Sequence, residues 1–376
     1  MNLRFVCHSV ASGLLLAASV AAVAEHAGES VTPAPNDWNR FTAAKYLDTR
    51  QAWWMSWPKA RRDHETACVS CHTAVPYAMS RLTLRQALGE STPSSPEREM
   101  LGYVARRVTL WNELEPFYND QKSGPRKTVE SRGTESVLNS LILSRYDSQR
   151  GRLTDLSQTA FKNMWAMQLT TGSDAGSWEW LDFHNAPWES NESHYWGATL
   201  AAVAVGMAPG NYSKTPAIQP GLAALKGYLD RNYDSQPIAN RLVVLWASAR
   251  IPGVLSSSRR EELLKEVRHL QRPDGGWSLA DLGKWTPRRD KTSFDSRSDG
   301  YATGLTVFAL QQAGVSVHQP EMKHAIQWLV SNQDAAQGFW PAYSLNKERD
   351  LSSDVGRFMS DAATSYAVMA LETVQR

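Results

Sequence analysis

The chain has 376 residues, and its 40 lysines and arginines almost balance its 38 aspartates and glutamates, leaving a net charge of +2. A charge so close to zero gives no reason to expect a nucleic-acid partner or an acidic binding surface. The most unusual count is 15 tryptophans, and so many indole rings are expected to line a core or a cavity. The composition otherwise indicates an ordinary globular protein.

The first residues have the features of an export signal. Arg4 supplies a positive charge, an apolar run covers 13–23, and Ala22-Val23-Ala24 is a small-residue cleavage site. We therefore predict a signal peptide over 1–24 and a mature chain in the periplasm. A membrane anchor is the alternative, but the run is short for a span of ~20 residues. No later stretch is apolar enough to predict a span in the mature chain.

The sequence CVSCH at positions 68–72 reads C-x-x-C-H, the attachment motif of a c-type haem. Two thiols at this spacing each bind one vinyl group of a single porphyrin, and the adjacent imidazole reaches the iron. On a helical turn Cys68, Cys71 and His72 would share one face. The remaining cysteine, Cys7, is removed with the predicted signal peptide, so both mature cysteines belong to the motif. We predict one covalent haem c with His72 as axial iron ligand.

The cysteine pair has three other interpretations. A zinc site would need two further ligands, and none can be cysteine in the mature chain. A thioredoxin-like redox pair expects a βαβ setting, which does not surround Cys68. A disulfide between Cys68 and Cys71 would close a very small, strained loop. Export and cysteine count both favour haem.

A weak repeat runs through the chain. In each copy a helical segment ends in glutamine, a Gly-Trp turn follows, and a second helix rich in small residues begins at an acidic residue. The glutamine and tryptophan pairs are Gln168 with Trp178, Gln271 with Trp277, and Gln333 with Trp340. The acids are Glu192, Asp299 and Asp361. We expect the three tryptophans to act as structural clamps between repeats.

These repeats resemble the squalene cyclase and prenyltransferase superfamily. The resemblance implies an all-α fold, an α/α toroid of about six outer and inner helix pairs, over a single domain 25–376. Outer helices are expected near 43–57, 98–115, 155–169, 218–232, 258–271 and 320–332. Inner helices are expected near 67–88, 132–146, 191–206, 236–250, 299–313 and 360–374. The haem-attachment segment 64–80 then places haem c on the first inner helix, at the mouth of the ring.

Several other residues are candidates for contact with the haem. His194 or His184 is a possible distal iron ligand, although a hydrogen-bonded wall residue and a loop residue are the plainer interpretations. Trp54, Trp57 and Trp196 are expected to approach the porphyrin, because large aromatic rings line apolar ligand sites. These tryptophans could also serve only as packing.

Glu192, Asp299 and Asp361 occupy equivalent places in three repeats. Three carboxylates converging on a cavity could perform acid and base catalysis. They could equally cap their own helices, since acids are favoured at helix N-termini. The D-x-D-D motif of the polyene cyclases is absent, and the mature chain has no spare cysteine for a prenyltransferase zinc. Neither activity of the superfamily is therefore expected.

The sequence thus predicts an exported c-type haem protein that acts in redox chemistry, by electron transfer through haem c at the mouth of a toroid. One alternative is a haem-dependent oxidoreductase with substrate in the ring cavity. Another is a binding protein for a terpenoid or other apolar ligand. The sequence names neither a redox partner protein nor a small-molecule substrate, and it gives no sign of nucleic-acid binding.

Overall fold

A computed structural model describes residues 37–374, which belong to one compact unit. The predicted signal peptide, 1–24, lies outside the described residues, as does Cys7. The described part is mostly helical, and its two strands, β1 (Arg61–Arg62) and β2 (Thr66–Ala67), form one short antiparallel hairpin. The helices are α1 (Arg40–Ser56), α2 (Ala74–Ala87), α3 (Ser95–Thr109), α4 (Asp120–Ser123), α5 (Lys127–Arg150), α6 (Asp155–Ala166), α7 (Ser193–Met207), α8 (Gln219–Asn232), α9 (Ile238–Ser248), α10 (Ser257–His269), α11 (Gly300–Gln312), α12 (Pro320–Ser331) and α13 (Phe358–Val374).

Local sequence explains where many of these helices begin. Asn39, Thr154 and Asp299 each accept a hydrogen bond from a backbone N–H of the first helical turn. Ser94 and Glu97 form a reciprocal capping box at the start of α3. These side chains satisfy backbone donors that have no partner within the helix. All twelve long helices lie close to the segments predicted from the repeat.

Six helices form a closed series of contacts. Helix α2 packs against α5, α5 against α7, α7 against α9, α9 against α11, and α11 against α13, which returns to α2. The helices α1, α6, α8, α10 and α12 pack against α2, α5, α7, α9 and α11, respectively, and α3 packs against α1 and α6. The all-helical architecture is confirmed, and this order of contacts is compatible with an α/α toroid.

Small residues set the spacing between the inner helices. A Cβ atom added at Gly304 of α11 would lie 2.7 Å from the backbone nitrogen of Ala367 in α13. A Cβ at Gly300 would lie 2.4 Å from the Cβ of Trp340. Larger side chains at these places would push the helices apart, because packed interiors leave no room for extra atoms.

The Gln and Trp residues of the repeat link one repeat to the next. The Trp178, Trp277 and Trp340 indoles each donate to a backbone carbonyl near the end of the preceding outer helix. Gln333 donates to the Gly338 carbonyl at 2.9 Å and to the Asn39 carbonyl at 3.0 Å. Gln168 and Gln271 make the same pair of bonds to their own turn and to the next outer helix. Gln333 therefore joins the last repeat to the first helix of the chain.

One boundary differs from the prediction in a way that matters for the site. The first inner helix was expected to start near 67 and to carry the C-x-x-C-H motif, but α2 begins at Ala74, and the motif lies in the turn before it. Ser70 Oγ accepts hydrogen bonds from the backbone nitrogens of Thr73 and Ala74, at 3.2 and 3.0 Å. Because Ser70 supplies a cap from within the motif, the helix starts after His72. The expectation that the motif lies on the first inner helix is therefore corrected, since the motif lies in the loop that leads into that helix.

Candidate functional site

The motif loop, residues 68–73, is held between the hairpin and α2. The backbone nitrogen of Cys68 donates to the Ala60 carbonyl at 2.8 Å, and the Trp54 indole donates to the Cys68 carbonyl at 2.6 Å. The two cysteines are both buried and both free. The loop therefore has a fixed backbone path while its two thiols are unused by any disulfide.

Burial controls the protonation of both thiols. Loss of solvent raises the pKa of Cys68 to about 12, and the pKa of Cys71 is also raised well above its ordinary value. The carboxyl of Glu189 raises both pKa values further. Both groups are thus neutral thiols at pH 7, which is the state of a buried, unreactive cysteine.

Aromatic rings enclose the His72 imidazole. Phe358 stacks on it with 3.9 Å between ring centroids, and the Trp54 ring stands edge-on at 4.8 Å. Burial lowers the pKa of His72 to about 3, with smaller contributions from the Arg50 and Arg349 guanidinium groups. The imidazole is therefore neutral at pH 7, as a metal ligand must be.

A hydrogen-bond chain fixes which nitrogen of His72 carries the proton. His72 Nδ1 lies 2.8 Å from Thr73 Oγ1, and that hydroxyl donates to Asp361 Oδ2 at 2.7 Å. Since the Thr73 proton is used toward the carboxylate, the hydroxyl must accept from Nδ1–H of the imidazole. The Nε2 atom then keeps its lone pair. Metal-binding histidines are oriented in this way by a partner on the other ring nitrogen.

Asp361 is the final acceptor of this series of hydrogen bonds. Its Oδ1 accepts from the Tyr46 hydroxyl and from Arg50 Nε, both at 2.8 Å, and its Oδ2 accepts from Arg50 Nη2 at 3.2 Å. Burial raises the pKa of Asp361, while the Arg50 charge and these hydrogen bonds oppose the rise. Four donors converge on this carboxyl group, so we assign it the ionised form, paired with Arg50.

The donor atoms fit a haem c, whereas the space beside them is small. The cavity next to His72 measures about 130 Å³, and the cavity next to Cys71, inside the helix ring, measures about 10 Å³. Ligand sites usually have ~300 Å³ or more. A porphyrin bound to these thiols would therefore displace nearby side chains. Trp188 is the first of these, because it lines both cavities.

The three tryptophans expected near the haem lie at different distances from the motif. Trp54 contacts His72 directly, and Trp196 lines the small cavity next to Cys71. Trp57 packs on Trp53 and on Phe358, with ring centroids 5.2 and 6.1 Å away. Phe358 was missed because a single phenylalanine at the start of a helix gives no sequence signal.

Neither predicted distal ligand lines the cavity beside His72. The side chain of His184 is 83% exposed and pairs with Asp182. His194 lies in the first turn of α7 with a buried Nδ1 that has no partner among the described residues. The lining of the cavity beside His72 includes neither, although it includes Asn185. A distal ligand role for either histidine stays a prediction.

The three acids do not converge on one cavity. Asp299 caps α11, accepting from the backbone nitrogens of Tyr301, Ala302 and Leu279. Glu192 accepts from the Ser190 hydroxyl at 2.8 Å and lines a separate surface depression. Of the three acids, Asp361 alone is linked to the motif. Each acid has its own hydrogen-bond partners, and a shared catalytic role for the three stays a prediction.

Metal binding by another ligand set gains no support. Within residues 37–374, no group of three or more histidine, cysteine, aspartate or glutamate side chains is arranged to hold a metal ion. The cysteine pair thus lacks the further ligands that a zinc site needs. In the same part of the chain, no helix has the combined length and apolar character of a membrane span.

Comparisons with known proteins assign no family. No protein-family profile matches the chain, and no curated protein is similar to it in sequence. A solved structure of a glycosidase variant is similar in fold at 10% sequence identity, covering 89% of this chain and 97% of its own, with a TM-score of 0.49. A likeness at this level carries no inference about activity.

Proposed function

We propose that this chain is an exported c-type haem protein that transfers electrons. Cys68 and Cys71 would hold one porphyrin through thioether bonds, and His72 would bind the iron through Nε2. The fold proposed for it is an α/α toroid, and the proposed compartment is the periplasm. A bound haem c supplies one-electron redox chemistry, with a potential set by axial ligand, burial and hydrogen bonding.

One observation carries the proposal. The motif's imidazole is neutral, enclosed by rings, and oriented by Thr73 and Asp361 so that Nε2 has its lone pair available. A partner on the other ring nitrogen is the usual way in which a metal-binding histidine is oriented. The free state of Cys68 and Cys71 complements it, because both sulfur atoms remain for thioether bonds.

Cavity volume favours electron transfer over catalysis inside the ring. The space of about 10 Å³ next to Cys71 holds about one water molecule. Its lining is apolar and tightly packed, with Trp196, Trp246 and Tyr366 among its residues. Electron transfer needs no substrate in that space. A substrate pocket there, or a site for a terpenoid, would require the core to be rebuilt.

The first experiment asks whether haem is attached. The full-length protein is expressed in cells with working cytochrome maturation, and its mass and pyridine haemochrome spectrum are measured. We expect a mass gain of one haem in wild type and in the Cys7→Ala control, and none in a Cys68→Ala/Cys71→Ala double variant. A colourless wild-type protein without the added mass would overturn the proposal.

The second experiment separates electron transfer from catalysis. A low-spin spectrum that is unchanged by cyanide or carbon monoxide is expected for an electron carrier. High-spin bands with ready ligand binding would instead favour the haem-dependent oxidoreductase. His194→Ala and His184→Ala variants then test the two distal candidates, since loss of a true ligand converts the spectrum to high spin.

A further inference from the structure

The cavity beside His72 has a basic wall. Arg349 lines it together with His72, and its charge contributes to the lowered pKa of His72. Arg289 lies alongside, with its backbone nitrogen donating to the Asn346 carbonyl at 3.0 Å and its side chain donating to Asn185 Oδ1. Asn185 and Asn346 line the same cavity. One guanidinium group and two amides thus line the space beside His72, and a second guanidinium group donates to one of those amides.

These two cations have no direct ion-pair partner in the described part of the chain. No ion pair is formed by Arg349 or Arg289 within residues 37–374. Burial lowers the pKa of Arg349, and the repulsion of Arg289 lowers it further. A half-buried guanidinium beside another cation is unfavourable unless an anion compensates it.

The acid nearest to the cavity does not supply that compensation. Glu189 lines the cavity too, but its carboxyl group bonds to the Asn185 side chain. Burial raises the pKa of Glu189 to about 7, because the neutral form of the carboxyl group is favoured away from water. The basic wall therefore retains net positive charge that an incoming anion could neutralise.

We propose that Arg349 and Arg289 form an anion site for the carboxylates of the porphyrin attached at Cys68 and Cys71. The inference rests on the proposed function, and it assigns residues that the C-x-x-C-H motif does not indicate. The planar guanidinium group binds carboxylates through paired N–H donors. Asn346 helps to position the wall, because its Nδ2 donates to the Ala186 carbonyl at 2.8 Å.

The same chemistry could receive a separate small carboxylate. A porphyrin carboxylate is the better choice because Arg349 shares one cavity with His72, the proposed iron ligand, and with Trp188, the side chain that a porphyrin would displace. A free carboxylate ligand would bind whether or not haem is attached. That difference separates the two sources by experiment.

The test uses the full-length haem-loaded protein and the variants Arg349→Gln and Arg289→Gln. Arg297→Gln is the matched control, since Arg297 is 70% exposed, pairs with Asp295 at 2.6 Å and lies in the neighbouring surface depression. Covalent haem is first verified by mass. The midpoint reduction potential is then measured across a range of pH, and succinate binding is measured by calorimetry.

We expect both wall variants to keep covalent haem and to shift the midpoint potential downward, because an uncompensated carboxylate stabilises the ferric iron. The Arg297→Gln potential should stay at the wild-type value, and the haem-loaded wild type should not bind succinate. Haem-loaded variants with unchanged potentials would overturn the anion site while leaving haem attachment intact. Arg349-dependent succinate binding by the haem-loaded wild type would overturn the porphyrin as its source. Haem missing from the wild type would instead refute the proposed function.

Discussion

Asp361 and Asp299 occupy equivalent places in two repeats, yet they serve different structures. Asp299 receives three backbone N–H groups and caps α11. Asp361 lies inside the first turn of α13 and receives side-chain donors from Tyr46, Arg50 and Thr73. Asp299 caps its own helix, whereas Asp361 connects side chains of α1 and of the motif loop to α13.

Residues at equivalent positions of the repeat can therefore have similar locations and still play different roles. A carboxyl group that is buried at the start of an inner helix needs hydrogen-bond donors, and the neighbouring segments determine which donors are available. Beside α11 those donors are backbone amides. Beside α13 they are a guanidinium, a phenol and the hydroxyl that orients His72.

The largest expected effect is the loss of stability when each acid is replaced by its amide. Asp361→Asn leaves Arg50 buried without its inner partner, and breaking such a pair costs on the order of 3–5 kcal/mol. Asp299→Asn keeps a good capping residue and should cost less than about 1 kcal/mol. Urea unfolding of both variants against wild type measures the gap. Equal losses for the two variants would erase the proposed contrast between the two acids.

The two regions should also respond to pH with opposite signs. Burial raises the pKa of Asp299 to about 7, and burial lowers the pKa of His72 to about 3. The Asp299 contribution is fully present below pH ~4 and is lost as the pH rises through 7. The His72 contribution is present above pH ~6.5 and is lost as the pH falls toward 3.

Unfolding measurements in the haem-free Cys68→Ala/Cys71→Ala background can test these opposite dependences of stability on pH. Asp299→Asn and His72→Gln are compared with that background at several values between pH 4 and 7. As the pH falls, we expect the background to gain stability relative to Asp299→Asn and to lose it relative to His72→Gln, by at most ~1.4 kcal/mol per pH unit. Parallel slopes for the two variants would contradict the assignment.

Sequence reasoning located the helices because the repeat is local. Gln271 and Trp277 lie close together along the chain, and each bonds to its own turn or helix. A pattern of that length can be read without knowing the fold. The same holds for C-x-x-C-H, although Ser70 moves the motif out of the helix that was expected to contain it.

The rest of the site could not be predicted because its contacts cross the whole chain. Tyr46 and Asp361 are 315 residues apart, and Thr73 and Asp361 are 288 residues apart. Arg349 reaches the cavity from a loop with no repeat pattern. Such contacts exist only because α13 packs against both α1 and α2, which no local spacing reveals.

A smaller effect than that of Asp361→Asn is expected at the hydroxyl that links His72 to Asp361. Thr73→Val removes this link and should cost about 1–2 kcal/mol, since Nδ1–H loses its acceptor. Thr303→Val is the matched control, because Thr303 accepts from the Trp277 backbone nitrogen at 3.0 Å in the equivalent region around Asp299. Both variants should lose similar stability in urea. Thr73→Val should also change the haem spectrum and midpoint potential, because the axial imidazole loses its orienting partner. If Thr303→Val alters the spectrum equally, Thr73 acts only through packing, and the distinction between the two regions fails.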